Sequence, residues 1–218
     1  KTGSSAKGDQ ASRSHTGSLA GRHGVYIGAF GQAGMLIVDN TESLLDTAKA
    51  LAVCPFPDGP GVAVLSGQAG PGMASSDLCE DQGLRIVRFT EKTQQKINEL
   101  LPPLALRTNP VDMGPAWYDS SAIEGIVQAV MDDDKVSGIL LLMMFASANV
   151  DAVRGISDLL KKWAQKKPVI SCILAPPGIW DKQIGTLEES GALANYPTPE
   201  RAARVMVNLW KYRKLVTV

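Results

Sequence analysis

The chain has 218 residues, 44% of them hydrophobic and 20% charged, the balance of a folded globular protein with room for one ordinary domain and part of another. Lys plus Arg and Asp plus Glu number 22 each, and a formal charge of zero argues against a nucleic-acid or membrane-surface role, because no basic field exists to hold phosphates along a duplex or bilayer. Cys54, Cys79 and Cys172 are far apart and odd in number, which suits buried thiols in a reducing cytoplasm better than a disulfide framework. No signal peptide is visible, and the longest apolar run, Gly138 to Ala146, is too short to span a bilayer.

Residues Lys1 to about Gln10 are polar and glycine-rich and are expected to form a flexible lead-in. They run into Ser14-His15-Thr16-Gly17-Ser18-Leu19-Ala20-Gly21, where a histidine stands immediately before a predicted helix through Leu19, Tyr26, Ile27 and Phe30. Thr16 and Ser18 can cap that helix, and Gly17 bends freely. The first N–H groups of such a helix lack internal partners and carry the positive end of its dipole, so the turn at Thr16, Gly17 and Ser18 offers a seat for an anion. A neutral imidazole beside the seat can attack a phosphoryl group while those donors hold its oxygens, with no metal needed. A plain loop histidine is the competing reading of His15. His23 has no ligand spacing with it and reads as structural, and no metal site is expected. Glycines 17, 21, 24, 28 and 31 fall on one helix face, which predicts close approach of another backbone more than ligand contact.

Met35 to Val38 reads as a short strand, and Thr41 to Ala52 as a helix with Leu44, Leu45, Ala48, Leu51 and Ala52 on its apolar side. Pro55, Pro57, Gly59, Pro60 and Gly61 then break the pattern and divide the chain into 1–58 and 59–218. Beyond the break, strands at Val62 to Ser66, Leu84 to Phe89, Leu104 to Thr108, Ile139 to Phe145 and Val169 to Leu174 alternate with helices. The helices are expected at Pro71 to Gln82, Glu91 to Leu101, after a capping box at Ser121-x-x-Glu124, at Asp151 to Lys166, Trp180 to Ser190, and from Thr198-Pro199 to about Tyr212. The continuous apolar run Ile139 to Phe145 suits a central parallel strand covered on both faces. The pattern specifies a doubly wound, flavodoxin-like α/β sheet of about five strands.

Gly67-Gln68-Ala69-Gly70-Pro71-Gly72 joins a strand to a helix, where phosphate-binding turns sit. Gly70 and Gly72 are the candidates there, although any tight strand-to-helix turn favours glycine. Asp112 sits at a strand's carboxyl end, where a turn carboxylate held by backbone N–H groups is the bland alternative to a functional one. Met143, Met144, Phe145 and Trp163 are at core spacing, and Lys161, Lys162, Lys166 and Lys167 read as a solvated helix end.

With the upstream Lys1-Thr2-Gly3-Ser4-Ser5 and Gly8, the histidine stretch resembles the phosphohistidine segment of the NDP-forming acyl-CoA synthetases, the superfamily of succinyl-CoA synthetase. Gly67 to Gly72, Asn109-Pro110-Val111-Asp112-Met113 and Tyr196-Pro197-Thr198-Pro199-Glu200-Arg201-Ala202-Ala203 follow in order, similar to stretches of the ADP-forming acetyl-CoA synthetase α unit. The resemblance implies that 1–58 is the C-terminal part of the phosphohistidine-bearing CoA-ligase domain and that 59–218 is a flavodoxin-like domain. It implies a reversible ligase reaction, acyl-CoA plus ADP and phosphate giving acid, CoA and ATP, in which phosphate displaces CoA and His15 takes the phosphoryl group from the acyl phosphate. An ATP-grasp part with Mg²⁺ then passes it to ADP. CoA, ATP or ADP and Mg²⁺ would serve the complete enzyme rather than bind this chain alone, and the implied partners are CoA-binding and ATP-grasp domains or subunits in a cytoplasmic oligomer. Starting at Lys1 without Met, late in a domain of the resemblance, the chain is expected to be a fragment or processed product. A synthetase-like regulatory region of a protein lysine acetyltransferase, and a CoA-ligase-like binding module without catalysis, stay open as other readings.

Overall fold

Ser5 opens the first helix: its Oγ accepts the Gly8 N–H at 3.1 Å, and Asp9 pairs with Arg13 one turn later at 2.9 Å. The result is α1 (Ala6–Thr16), where the sequence suggested a flexible lead-in. The computed structural model describes residues 1–17, 21–164 and 166–217, Thr16 by its backbone alone. Residues 1–39 group with the chain end from Lys211 in one compact unit, and Asn40–Trp210 form the other.

In the first unit, Gly17 ends α1 at φ +60°, and α2 (His23–Gln32) follows. The helix expected from Gly17 onward is described only from His23, Ser18 to Ala20 lying outside the described residues, and Gly17 closes α1 because a left-handed glycine does not continue a right-handed helix. The close approach expected along the glycine face is likewise missing at Gly24, Gly28 and Gly31, where an added Cβ would meet nothing within 4 Å. Met35 to Val38 forms no strand.

The second unit starts with α3 (Thr41–Val53), capped by the Asn40 side chain on the Ser43 N–H at 2.8 Å. It continues through β1 (Gly61–Ser66), α4 (Ala69–Asp81), β2 (Arg85–Ile86), α5 (Glu91–Leu100), β3 (Val111–Asp112), α6 (Ser120–Met131), β4 (Gly138–Met144), α7 (Ala152–Trp163), β5 (Val169–Leu174), α8 (Asp181–Glu189), β6 (Ala194–Asn195) and α9 (Pro199–Val216), the last as far as Trp210. All pairings are parallel, in the order β2-β1-β4-β5-β6. β4 occupies one edge of β1 along 62–66, so β3, paired at 65–66, shares the other edge with β2 at 61–62. Counted by column this is the five-column flavodoxin order. α3, α4 and α9 cover one face through Ala50, Cys79 and Met206, and α5 to α8 cover the other through Ile97, Ile126, Ile156 and Leu187.

Several local expectations shift. The stretch 104–108 forms no strand, and Asp119 rather than Ser121 caps α6, its Oδ1 accepting from Ser121 and Ala122 N–H at 3.0 Å. Lys167 is no solvated end: its Nζ donates to the carbonyls of Met131 and Asp133, both at 2.7 Å, capping α6 at its carboxyl end. Met143 is core, but Met144, at the sheet's carboxyl edge, is exposed. The division expected at residue 58 lies inside the second unit, since α3 packs there.

Asn109 shows why its motif matters to the fold. β2 and β3 each touch β1 over two residues, leaving a gap between them, and the Asn109 amide fills it. Its Oδ1 accepts the Val64 N–H at 2.9 Å, and its Nδ2 donates to Val62 O at 2.8 Å and Val87 O at 3.0 Å. Asn195 repeats the device on β5, bonding the Ile173 N–H at 2.7 Å and Ile173 O at 3.2 Å. Asn109→Leu keeps the branched outline but strands three backbone groups, and urea denaturation should show a loss of about 3 kcal/mol. A loss under about 0.5 kcal/mol, the surface-substitution range, would contradict this role.

Candidate active site

His15 lies in the last turn of α1 and is exposed. This corrects the expected placement before a helix N-terminus: carbonyl ends, not free N–H groups, surround the carboxyl end of α1. Gly17 is its C-cap, with the cap N–H donating to Arg13 O. The side chain of Thr16 and all of Ser18 lie outside the described residues. The next helix start is at His23, where Arg22 supplies no side-chain cap.

The other candidate turn is built in the second unit. β1 ends at Ser66, whose Oγ accepts the Gln68 N–H at 3.2 Å and donates back to Gln68 O, closing a tight turn. α4 starts at Ala69, two residues earlier than expected, so Gly70 and Gly72 both stand in its first turn, along with Pro71, which has no N–H. No side chain caps this end. Gly70 is exposed, and an added Cβ would meet nothing within 4 Å. Gly72 is buried, with an added Cβ 3.1 Å from Ser66 Cβ and 3.6 Å from Pro110 Cβ. Gly70 therefore leaves the mouth of α4 open, while Gly72 lets the helix lie close on the end of β1.

The chain after β3 is fastened onto the same turn. Met113 N–H donates to Ser66 O at 2.7 Å, and Asp112 Oδ1 accepts the Gly114 N–H at 2.9 Å, the role of a turn carboxylate. Trp117, which the sequence reading missed, lays the Nε1 edge of its indole against Gly67, where an added Cβ would sit 2.7 Å away. The signal was a glycine at 67 in a position that no phosphate argument required.

This mouth lies where β1 and β4 send their following helices to opposite faces, the switch point at which open α/β sheets bind ligands. Uncapped N–H groups and the helix dipole can seat an anion there. None of the residues forming the turn, Ser66 to Gly72, is a histidine, cysteine or carboxylate, so the turn can hold a phosphoryl group but needs a nucleophile from elsewhere. His15 belongs to the first unit, Gly70 and Gly72 to the second.

Burial pushes the thiols of Cys54 and Cys79 up to about 12 and that of Cys172 to about 11, which removes all three as nucleophiles near neutral pH. Among the described residues, no three His, Cys, Asp or Glu side chains converge as a metal-ligand group. No helix among them is long and apolar enough to cross a membrane. A cavity of about 880 Å³, with none of the residues 66–72 in its lining, lies between residues 86–89, α5 and the 103–109 segment. Arg88 and Arg107 line it with a single carboxylate, Glu91, a set without an evident nucleophile.

Residues 1–51 match the family model of the succinyl-CoA ligase like flavodoxin domain. The chain is 31% identical to the α subunit of the ADP-forming acetate–CoA ligase II of Pyrococcus furiosus, an alignment covering 99% of this chain and 47% of that protein. It is 30% identical to the ADP-forming acetate–CoA ligase I of Archaeoglobus fulgidus, covering 99% of this chain and 30% of that one. The solved structure of dinucleotide forming acetyl-coenzyme A synthetase 1 from Ca. Korarchaeum cryptofilum, in complex with phosphate and ADP, superposes with a TM-score of 0.85 at 29% identity, covering 99% of this chain and 46% of that chain. The chain spans about half the length of the α subunit it matches. Along almost its whole length, the chain is similar to ADP-forming acetate–CoA ligases and to a dinucleotide forming acetyl-coenzyme A synthetase.

Proposed function

We propose that the chain is part of an NDP-forming acyl-CoA synthetase that converts acyl-CoA, ADP and phosphate reversibly into the free acid, CoA and ATP. The observation that carries this reading is the end-to-end similarity to an ADP-forming acetate–CoA ligase α subunit, with the Ser14-to-Gly21 histidine stretch inside it. Phosphate oxygen attacks the thioester carbon, the C–S bond breaks, and CoA leaves as the thiol. An imidazole nitrogen of His15 then attacks the phosphorus of the acyl phosphate, and the carboxylate leaves with the P–O bonding pair. An oxygen of ADP then attacks the phosphorus and the N–P bond breaks, returning the imidazole; Mg²⁺, when bound, would offset charge at the nucleotide.

In this reading the histidine-bearing segment closes a preceding domain of the succinyl-CoA ligase like flavodoxin type, to which residues 1–51 match, and residues 59–218 form a second flavodoxin-like sheet on which α3 packs. His15 takes the phosphoryl group, and the first turn of α4 at Gly70 and Gly72 supplies N–H donors to it as it travels. CoA-binding and ATP-grasp domains or subunits supply the rest, in an oligomer. A cytoplasmic setting fits the free thiols of all three buried cysteines.

Incubating the full-length enzyme with γ-labelled ATP and Mg²⁺ should place an acid-labile, base-stable label on the peptide containing Ser14 to Gly21. A label found on another peptide, or an acid-stable one, overturns the assignment.

A further inference from the structure

Helix α3 turns polar side chains as well as Ala50, Leu51 and Val53 toward the unit it packs in, and leaves an apolar stripe outside. Its buried residues are Ser43, Asp46, Thr47 and Ala50. Arg201 grips both Asp46 carboxylate oxygens at 2.7 Å, the Tyr196 hydroxyl donates to Asp46 O at 2.7 Å, and Asn208 Nδ2 donates to Thr47 Oγ1 at 2.9 Å. These bonds fix the polar face inward, so the helix cannot roll its apolar residues under without stranding a buried carboxylate. The opposite face carries Leu44, Leu45, Ala48 and Ala52 at helical spacing. Leu44 is 56% and Leu45 64% exposed. Single exposed leucines are ordinary, but an adjacent pair within an apolar stripe on a rigidly held helix marks a contact surface.

The occupant follows from which domain α3 belongs to. Packing puts it with residues 40–210, yet the flavodoxin-type family match runs through it to residue 51. A domain of that type is a parallel sheet covered by helices and takes on the order of 100 residues. Among the described residues before Gly61 there are three helices and no strand. α2 repeats the deficit independently, since none of its residues is buried. We infer that the Leu44, Leu45, Ala48 and Ala52 face of α3 docks the sheet-bearing remainder of the flavodoxin-type domain to which residues 1–51 belong. α3 is then a helix shared by two domains, bound to one through these hydrogen bonds and the Ala50, Leu51 and Val53 contacts, and to the other through its outward apolar stripe. This rests on the reading of the chain as part of a longer synthetase.

The test compares Leu45→Cys in the 218-residue chain and in the full-length protein, with Lys92→Cys, at an exposed position of α5, as a reference for reactivity. Maleimide labelling at position 45 should be at least about tenfold slower in the full-length protein, while labelling at position 92 is unchanged. A benzophenone maleimide attached at position 45 should cross-link within one molecule to the strand-bearing part of the flavodoxin-type domain. Equal labelling in both proteins overturns the inference. So do cross-links to a second copy of the chain or to an ATP-grasp part. Neither readout requires phosphoryl transfer, so a failed enzymatic reading and a failed docking surface give different results.

Discussion

His15→Asn in the full-length enzyme should reduce phosphoryl transfer to ADP by a factor on the order of 10⁴ or more and abolish the acid-labile label. Asparagine approximates the size and polarity of histidine, but its amide nitrogen is not nucleophilic, so the step at phosphorus is removed without emptying the site. His15 is exposed in the last turn of α1, and a surface substitution of this kind should change stability by no more than about 0.5 kcal/mol. A thermal melt that coincides with the unsubstituted enzyme, beside lost transfer, is the expected pair of results. Persisting label or turnover would remove His15 from the mechanism. The position also sets a condition on the chemistry. A phosphoryl group on His15 places negative charge at the carbonyl end of α1, where the helix dipole disfavours it. The intermediate therefore needs N–H donors from another helix start.

The second unit was legible because its strands are apolar runs that admit one partner environment. Ile139 to Leu142 are almost wholly buried, as a continuous apolar run between helices requires, and Val169–Leu174 falls on its predicted bounds. Periodicity does find the stripe on α3, but it assumes that the stripe faces the nearest core. What decides the matter is Arg201, 155 residues away from Asp46 in sequence, which no local pattern contains. Asn109 and Trp117 were opaque for a similar reason: an amide that completes a ladder, or an indole laid on a glycine, is defined by its partner. The first unit misled more deeply. The Ser14-to-Gly21 stretch carries capping residues that suit a helix start, yet Ser5 starts α1 earlier and Gly17 closes it at positive φ. The mouth of α4 was placed within two residues, because a glycine-rich link between an apolar run and a helix has few alternatives.

Gly70→Asp should make the protein more stable and much less active, a combination that only an anion seat at the mouth of α4 explains. Gly70 is in the first turn of α4, is exposed, and has open space around an added Cβ, so the new side chain meets no obstacle. Removing a helical glycine and adding an acid near the helix start should together raise stability by roughly 0.5–1.5 kcal/mol. The same carboxylate competes for the uncapped N–H groups and repels an incoming phosphoryl group, and transfer should fall by about 10²–10³-fold, the cost of losing one such donor to a reacting oxyanion. Gly70→Asn separates charge from bulk: it fills the same space, leaves the field at the mouth positive, and should retain most of the activity. The readouts are a denaturation curve and single-turnover formation of the phosphohistidine. If the aspartate variant is stabilised and still transfers phosphate at the normal rate, the first turn of α4 is a packing device and the donors lie elsewhere. If both variants lose activity equally, bulk at the turn rather than charge is responsible, and the anion seat is refuted in the same experiment.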